Sequence, residues 1–138
     1  MNDQAGEQMS AISEIFAADK MIQLLGATLL HGEAGHVVIG MQVTEKMVQR
    51  HNTCQGGAIF TLADAAFGIA ANSKGQSAVS QQCSINFLRP APLGEMLRAE
   101  ALARSRVGRT EIYDVTVSGD SVGLVAEFRG IARILGSD

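Results

Sequence analysis

Asp64 is the one ionisable residue in the run GAIFTLADAAFGIAAN, residues 57–72, and an unpaired carboxylate is costly to hold in apolar surroundings. Three readings stand: it faces solvent at a gap, it pairs with an arginine or a backbone group, or it is a catalytic acid or base. Just upstream lies Gly56-Gly57. Such a pair marks a turn or a close approach of chains, and at a helix start it also leaves N–H groups free to hold an oxyanion or a phosphate. Spacing connects the two features. Asp64 follows Gly56 by eight residues, which is about 12 Å along a helix at ~1.5 Å per residue. One chain cannot bring both to a single carbonyl carbon. If they act on the same atom, a twofold dimer must set Gly56 of one protomer against Asp64 of another.

The elements that position these groups can be read from periodicity. Residues 57–72 are apolar on every side of a helical wheel apart from Thr61 and Asp64, which predicts a fully buried helix. Ahead of it, Ile12, Ile15, Phe16, Asp19 and Ile22 recur at spacings of three and four, which predicts a short amphipathic helix with Ser10 as N-cap. Thr28–Leu30 and Val37–Val43 flank the turn-prone HGEAGH and read as a hairpin. Four alternating segments follow the buried helix. Their inward rows are Val79, Gln81, Cys83, Ile85 and Phe87; Leu97, Ala99, Ala101 and Ala103; Glu111, Tyr113, Val115 and Val117; and Val122 to Ile134 in steps of two. The order helix, β, β, buried helix, β, β, β, β predicts an α+β fold, an antiparallel sheet wrapped around a long central helix in the hotdog arrangement. No repeat or linker divides the chain, so residues 1–138 read as one domain, with residues 1–9 and 135–138 loose.

Composition removes several function classes. A chain of 138 residues with 46% hydrophobic residues can bury a core without a staple. The two cysteines, Cys54 and Cys83, are far apart, and with only three histidines (His31, His36, His51) there is no structural zinc pattern, so no metal site is expected. Free cysteines, no long apolar run and a polar N-terminus point to a cytoplasmic protein without a membrane partner. A net charge of −3, no tryptophan and six aromatic residues count against a nucleic-acid surface. That charge is uneven: residues 1–88 hold seven acids and four bases, whereas residues 89–138 hold seven of each.

Residues 51–73, HNTCQGGAIFTLADAAFGIAANS, together with INFLRPAPLGE at residues 85–95, resemble the PaaI-type thioesterases of phenylacetate degradation, within the wider hotdog thioesterase superfamily. The resemblance runs over roughly residues 12–134. It implies hydrolysis of an acyl-CoA thioester, an aromatic one such as phenylacetyl-CoA, with CoA as part of the substrate and no further cofactor. It also implies a homodimer or a dimer of dimers, a homotetramer, with shared active sites. Asp64 matches the catalytic carboxylate, as general base or as nucleophile; Gly56 matches the glycine whose N–H polarises the thioester carbonyl; Gln49 falls where the family carries an Asn or Gln beside that carbonyl. Gly57, Ser80 and His51 match positions lining the site, Ser80 near the attacking water. The chain departs from the pattern at Gln55, where relatives most often carry histidine; glutamine keeps a hydrogen bond and loses a titratable group.

The CoA phosphates call for cations. Between residues 89 and 109 five arginines (Arg89, Arg98, Arg104, Arg106, Arg109) face two acids, Glu95 and Glu100, and arginine suits bidentate phosphate recognition. Arg89, Arg104, Arg106 and Arg109 are the expected contacts. Cys54 has no base beside it and is not expected to be a nucleophile. Two rival functions remain: a non-catalytic acyl-CoA-binding module, disfavoured by a carboxylate on a buried helix, and a hydratase or dehydratase, disfavoured by the absence of a histidine next to Asp64. Gly68, one turn beyond Asp64, leaves room for a ring in the acyl pocket.

Overall fold

Six antiparallel strands form one sheet, their spatial order being first, second, fourth, fifth, sixth and third in the chain, and a 16-residue helix lies against five of them. The computed structural model describes residues 4–137. In chain order the elements are α1 (Gln4–Ala18), α2 (Lys20–Leu24), β1 (Thr28–Glu33), β2 (His36–Gln42), a 3-10 turn (Glu45–Met47), α3 (Gly56–Ala71), β3 (Gln76–Phe87), β4 (Met96–Val107), β5 (Thr110–Gly119) and β6 (Gly123–Ser137). This is the expected hotdog arrangement. No helix among the described residues is long and apolar enough to cross a membrane.

The core sits between α3 and the middle strands. Leu62, Ala63, Ala66, Phe67 and Ala70 of α3 are buried against Leu97, Ala99, Ala101, Tyr113, Val115, Val117, Ala126 and Phe128. Small residues let the layers close tightly: a Cβ added at Gly130 would lie 2.7 Å from the Phe67 ring. That ring meets Tyr113 and Phe128 at centroid separations of 5.7 and 5.8 Å, in the tilted geometry that ring quadrupoles favour. Glu111, 2% exposed, is buried without being orphaned. Its carboxylate accepts from Lys74 Nζ at 2.5 Å and from the Tyr113 hydroxyl at 2.8 Å.

Several expectations change. The N-terminal helix is two helices, because Asp19 turns its side chain to the Ile22 N–H at 3.1 Å and starts α2 instead of continuing the apolar stripe of α1. Ser10 is interior to α1 and caps nothing. Helix reaches back to Gln4 and strand forward to Ser137, so within the described residues the ends expected to be loose are regular structure; residues 1–3 and 138 lie outside them. The inward rows also open in two places. Ala103 is exposed where a bulge shifts β4 against β5; in β3 the bulge between Ser80 and Gln82 flips the inward row, so that Ala78 and Ser80 pair with the buried Ile134 and Ala132 while Val79, 49% exposed, pairs with the exposed Arg133, and Phe87 is 52% exposed on this edge strand.

Helix α3 is the largest correction. It leaves one stripe open along its length, Gly57, Thr61, Asp64, Gly68 and the C-cap Asn72, at helical spacings of four, three, four and four, while Gly56, Ala58 and Phe60 near its start are also only partly buried. Three of these five residues are glycine or threonine, small enough to leave an apolar sequence looking unbroken. The stripe is anchored at its ends. Thr61 Oγ1 donates to the Gly57 carbonyl at 2.8 Å, and Asn72 binds both the Ala78 N–H and its carbonyl, tying the helix end to β3.

Candidate active site

Asp64 lies halfway along that stripe, half-buried, at the wall of a cavity of about 360 Å³ shared by α1, α3 and β3. Gly68 and Ser80 line the same cavity, and Ile15, Ala18 and Asp19 close it from the N-terminal helices. Among the described residues no lysine, arginine or histidine pairs with Asp64. Its side-chain partner among the described residues is Cys83, whose thiol donates to Oδ1 at 3.8 Å, with Ser80 Oγ 3.1 Å from the same sulfur. Burial therefore raises the Asp64 carboxyl above its ordinary value, the Cys83 hydrogen bond opposes this, and the charge of Asp19 adds to the rise. Such a carboxylate is a stronger base than an exposed one. A β-bulge between Ser80 and Gln82, where β3 slips one residue against β6, sits beside it.

The glycine pair starts a second hollow. Gly56 opens α3 after Gln55, whose backbone is extended and whose side chain does not cap the first N–H groups of the helix. Thr53, Cys54, Phe87 and Arg89 line this hollow with Gly56. Phe87 rests where a side chain at residue 56 would stand: an added Cβ would lie 3.0 Å from its ring, whereas at Gly57 nothing comes within 4 Å. Asp64 is absent from this hollow and Gly56 from the first, as their spacing along the helix requires.

The remaining expected residues fall into separate places. Gln49 and His51 share the loop before α3. The Gln49 amide is engaged there, accepting from the His51 N–H at 2.6 Å and donating to Thr53 Oγ1 at 2.5 Å; His51 itself is exposed, 3.4 Å from Arg50 Nε. The basic segment divides. Arg89 stays at the Gly56 end, donating to the Val122 carbonyl. Arg104, Arg106 and Arg109 surround the β4–β5 turn at the other end of α3. Arg106 reaches Gln76 Oε1 at 3.0 Å, and Gln76 in turn donates to Ala71, the last residue of the helix. Arg104 is 3.3 Å from Asp114, and Arg109 is 3.4 Å from the Leu135 carbonyl. Within one chain these arginines are not one patch.

Two groups near Asp64 escaped the sequence reading. Cys83 passed as one more inward strand residue and Asp19 as a member of the helical stripe, and only the fold brings them to the cavity. Cys54 behaves as expected: burial pushes its thiol up to about 11, so it is not a thiolate at neutral pH.

Comparison with known proteins supplies the family. Residues 51–126, more than half of the chain, match the model of the thioesterase superfamily. The acyl-coenzyme A thioesterase PaaI of Escherichia coli (strain K12) is 37% identical over 122 residues, 88% of this chain and 87% of that protein. Its structure, from the phenylacetic acid degradation operon, superposes with a TM-score of 0.91 and 34% identity, covering 96% of each chain. The smu.793 protein of Streptococcus mutans UA159, solved bound to acetyl CoA, matches with a TM-score of 0.77 and 31% identity over 80% of this chain and 90% of that one.

Proposed function

The chain belongs to the thioesterase superfamily, and from that premise we propose that it is an acyl-CoA thioesterase acting on an aromatic, phenylacetyl-CoA-like substrate, with each site shared between two chains. The observation that carries this reading is Asp64: a carboxylate with no cationic partner among the described residues, raised by burial, at the wall of a cavity with an unfilled glycine beside it.

Water held by Asp64 attacks the thioester carbonyl carbon while its proton passes to the Asp64 carboxylate. The carbonyl oxygen becomes an oxyanion, and an N–H at Gly56 of the second protomer, at the positive end of α3, stabilises it. Collapse breaks the C–S bond; the CoA sulfur leaves and takes up the proton, and the free acid remains. We assign Asp64 the role of base because burial moves its pKa toward the operating range, where a general base works best. In a single turnover in oxygen-18 water this role places label directly in the product acid. Label in Asp64 itself would make it the nucleophile.

A ring fits the Gly68 side of the cavity, since a Cβ there meets nothing within 4 Å. Ser80 is the candidate to hold the water, and Gln49, Gln55, Gly57 and His51, in the loop and helix start, are the candidates to face the carbonyl. Arg89 on one side and the Arg104, Arg106 and Arg109 group on the other are the candidates for the CoA phosphates, at two separate places. The hydratase reading loses ground, because among the described residues no histidine contacts Asp64.

The test offers a panel of aliphatic and aromatic acyl-CoAs with a thiol reagent to wild type and to Asp64→Ala. Turnover favouring phenylacetyl-CoA and lost on substitution supports the proposal. Turnover that survives removes Asp64 from the mechanism, and binding without turnover makes the protein an acyl-CoA-binding module.

A further inference from the structure

The β1–β2 hairpin gathers two of the three histidines around one carboxylate. Its tight turn depends on Gly35, at a φ of 74°, which glycine adopts without strain. The register then sets Glu33 opposite His36. His31 Nε2 lies 3.1 Å and His36 Nδ1 3.0 Å from the same oxygen, Glu33 Oε1. The other nitrogen of His36, Nε2, meets Glu100 Oε2 of β4 at 2.6 Å. All four residues lie outside the cavity of Asp64 and the hollow of Gly56.

This geometry calls for a cation. A neutral imidazole carries one N–H and one lone pair. If His36 gives its N–H to Glu100, the lone pair of Nδ1 points at a carboxylate oxygen 3.0 Å away, and two acceptors at that distance repel. Either a proton or a metal ion relieves the clash. His31 brings a second ring nitrogen to the same oxygen, and the three donor atoms lie within 4.8 Å of one another. Among the described residues neither lysine nor arginine neutralises Glu33. Two imidazoles and one carboxylate, with an acid behind one imidazole fixing its tautomer, form the donor set that suits a borderline divalent ion.

We propose that the hairpin binds a divalent transition cation of the zinc type, with His31 Nε2, His36 Nδ1 and Glu33 Oε1 as ligands and Glu100 orienting His36. Water completes the coordination. The side chains are partly or largely exposed, so they can contract from hydrogen-bond separations to metal-ligand distances of about 2.0–2.2 Å without repacking a core. Counting cysteines and histidines predicted no metal site because the ligands do not follow a zinc-finger spacing; strand register, not sequence spacing, brings them together.

Calorimetric titration of the untagged protein with Zn2+ alone tests the proposal, with Mg2+ as the hard-cation comparison. One Zn2+ per chain is expected and no Mg2+ uptake. His31→Ala and His36→Ala should each abolish saturable binding, Glu100→Gln should weaken it about 10–100-fold, and His51→Ala should leave it unchanged. Circular dichroism checks that the variants fold. In the wild type, independent of any variant, Zn2+ should shift the ring resonances of His31 and His36 and spare those of His51. Absence of saturable Zn2+ binding, binding that persists in the His31→Ala/His36→Ala double variant, or ring shifts confined to His51 would each overturn it.

Discussion

Helix α3 has two sides that obey opposite rules. On the sealed side Phe67 fills its space so completely that Gly130 across from it has no room for a methyl group. On the open side, one residue further along, Gly68 would meet nothing with that same methyl group, and Asp64 lies in the same stripe with the Cys83 thiol as its side-chain partner among the described residues. The sheet covers the first side and stops short of the second because β3 is an edge strand. Packing is complete on the first side, and the proposed chemistry belongs to the second.

The largest expected effect comes from the open side. Asp64→Asn should lower kcat for the preferred acyl-CoA by about 10²–10⁴-fold while leaving the fold intact, as steady-state kinetics and a thermal melt will check. The same carboxylate sets the pH behaviour. Its pKa is raised in the folded chain, so kcat/KM should fall with acid through a limb lying above the ordinary aspartate range. Stability moves the other way: a raised carboxyl favours the folded state below its unfolded value and loses that contribution as pH rises through the folded value. Melts of wild type and Asp64→Asn should therefore diverge as pH rises through that window, with the variant gaining. Divergence in the opposite sense would mean that Asp64 is stabilised as an anion by a partner.

The sealed side yields the next effect. Gly130→Ala should destabilise by about 1–3 kcal/mol in denaturant unfolding, since the Phe67 ring can move only by disturbing Tyr113 and Phe128. The same exchange at Gly68 should change sign. Gly68→Ala, with free space and helical backbone, should stabilise by about 0.5–1 kcal/mol and should raise KM for phenylacetyl-CoA more than for acetyl-CoA. Equal losses at both glycines would erase the contrast between the two sides.

Much of the fold was legible because its patterns are local. Alternation in β4 to β6 placed Leu97, Tyr113, Val115 and Phe128 in the core, and the apolar run beginning at Gly57 placed α3 within one residue of its start. Asp64 stood out as the one charge in that run. What stayed hidden depends on contacts between elements. The open stripe of α3 is written in glycine and threonine, which hydropathy cannot distinguish from buried positions. Cys83 and Asp19 meet Asp64 only through the placement of β3 and α1. Five arginines close together in sequence separated because β4 carries Arg104 and Arg106 the length of the helix away from Arg89, while Arg98 pairs with Asp120. The histidine cluster required the hairpin register, which spacing alone does not encode.

The central claim is that Asp64 of one chain and the N–H at Gly56 of another act on the same thioester. Proline at residue 56, the first position of α3, keeps a helical φ and removes the N–H, and Gly56→Ala controls for crowding against Phe87. The decisive measurement mixes Gly56→Pro with Asp64→Asn under conditions where mass spectrometry demonstrates exchange of protomers. Each variant alone should be nearly inactive. The mixture should regain about a quarter of the wild-type rate, the share of intact sites in randomly paired twofold dimers. No recovery after demonstrated exchange would contradict a site built from Asp64 of one chain and Gly56 of another.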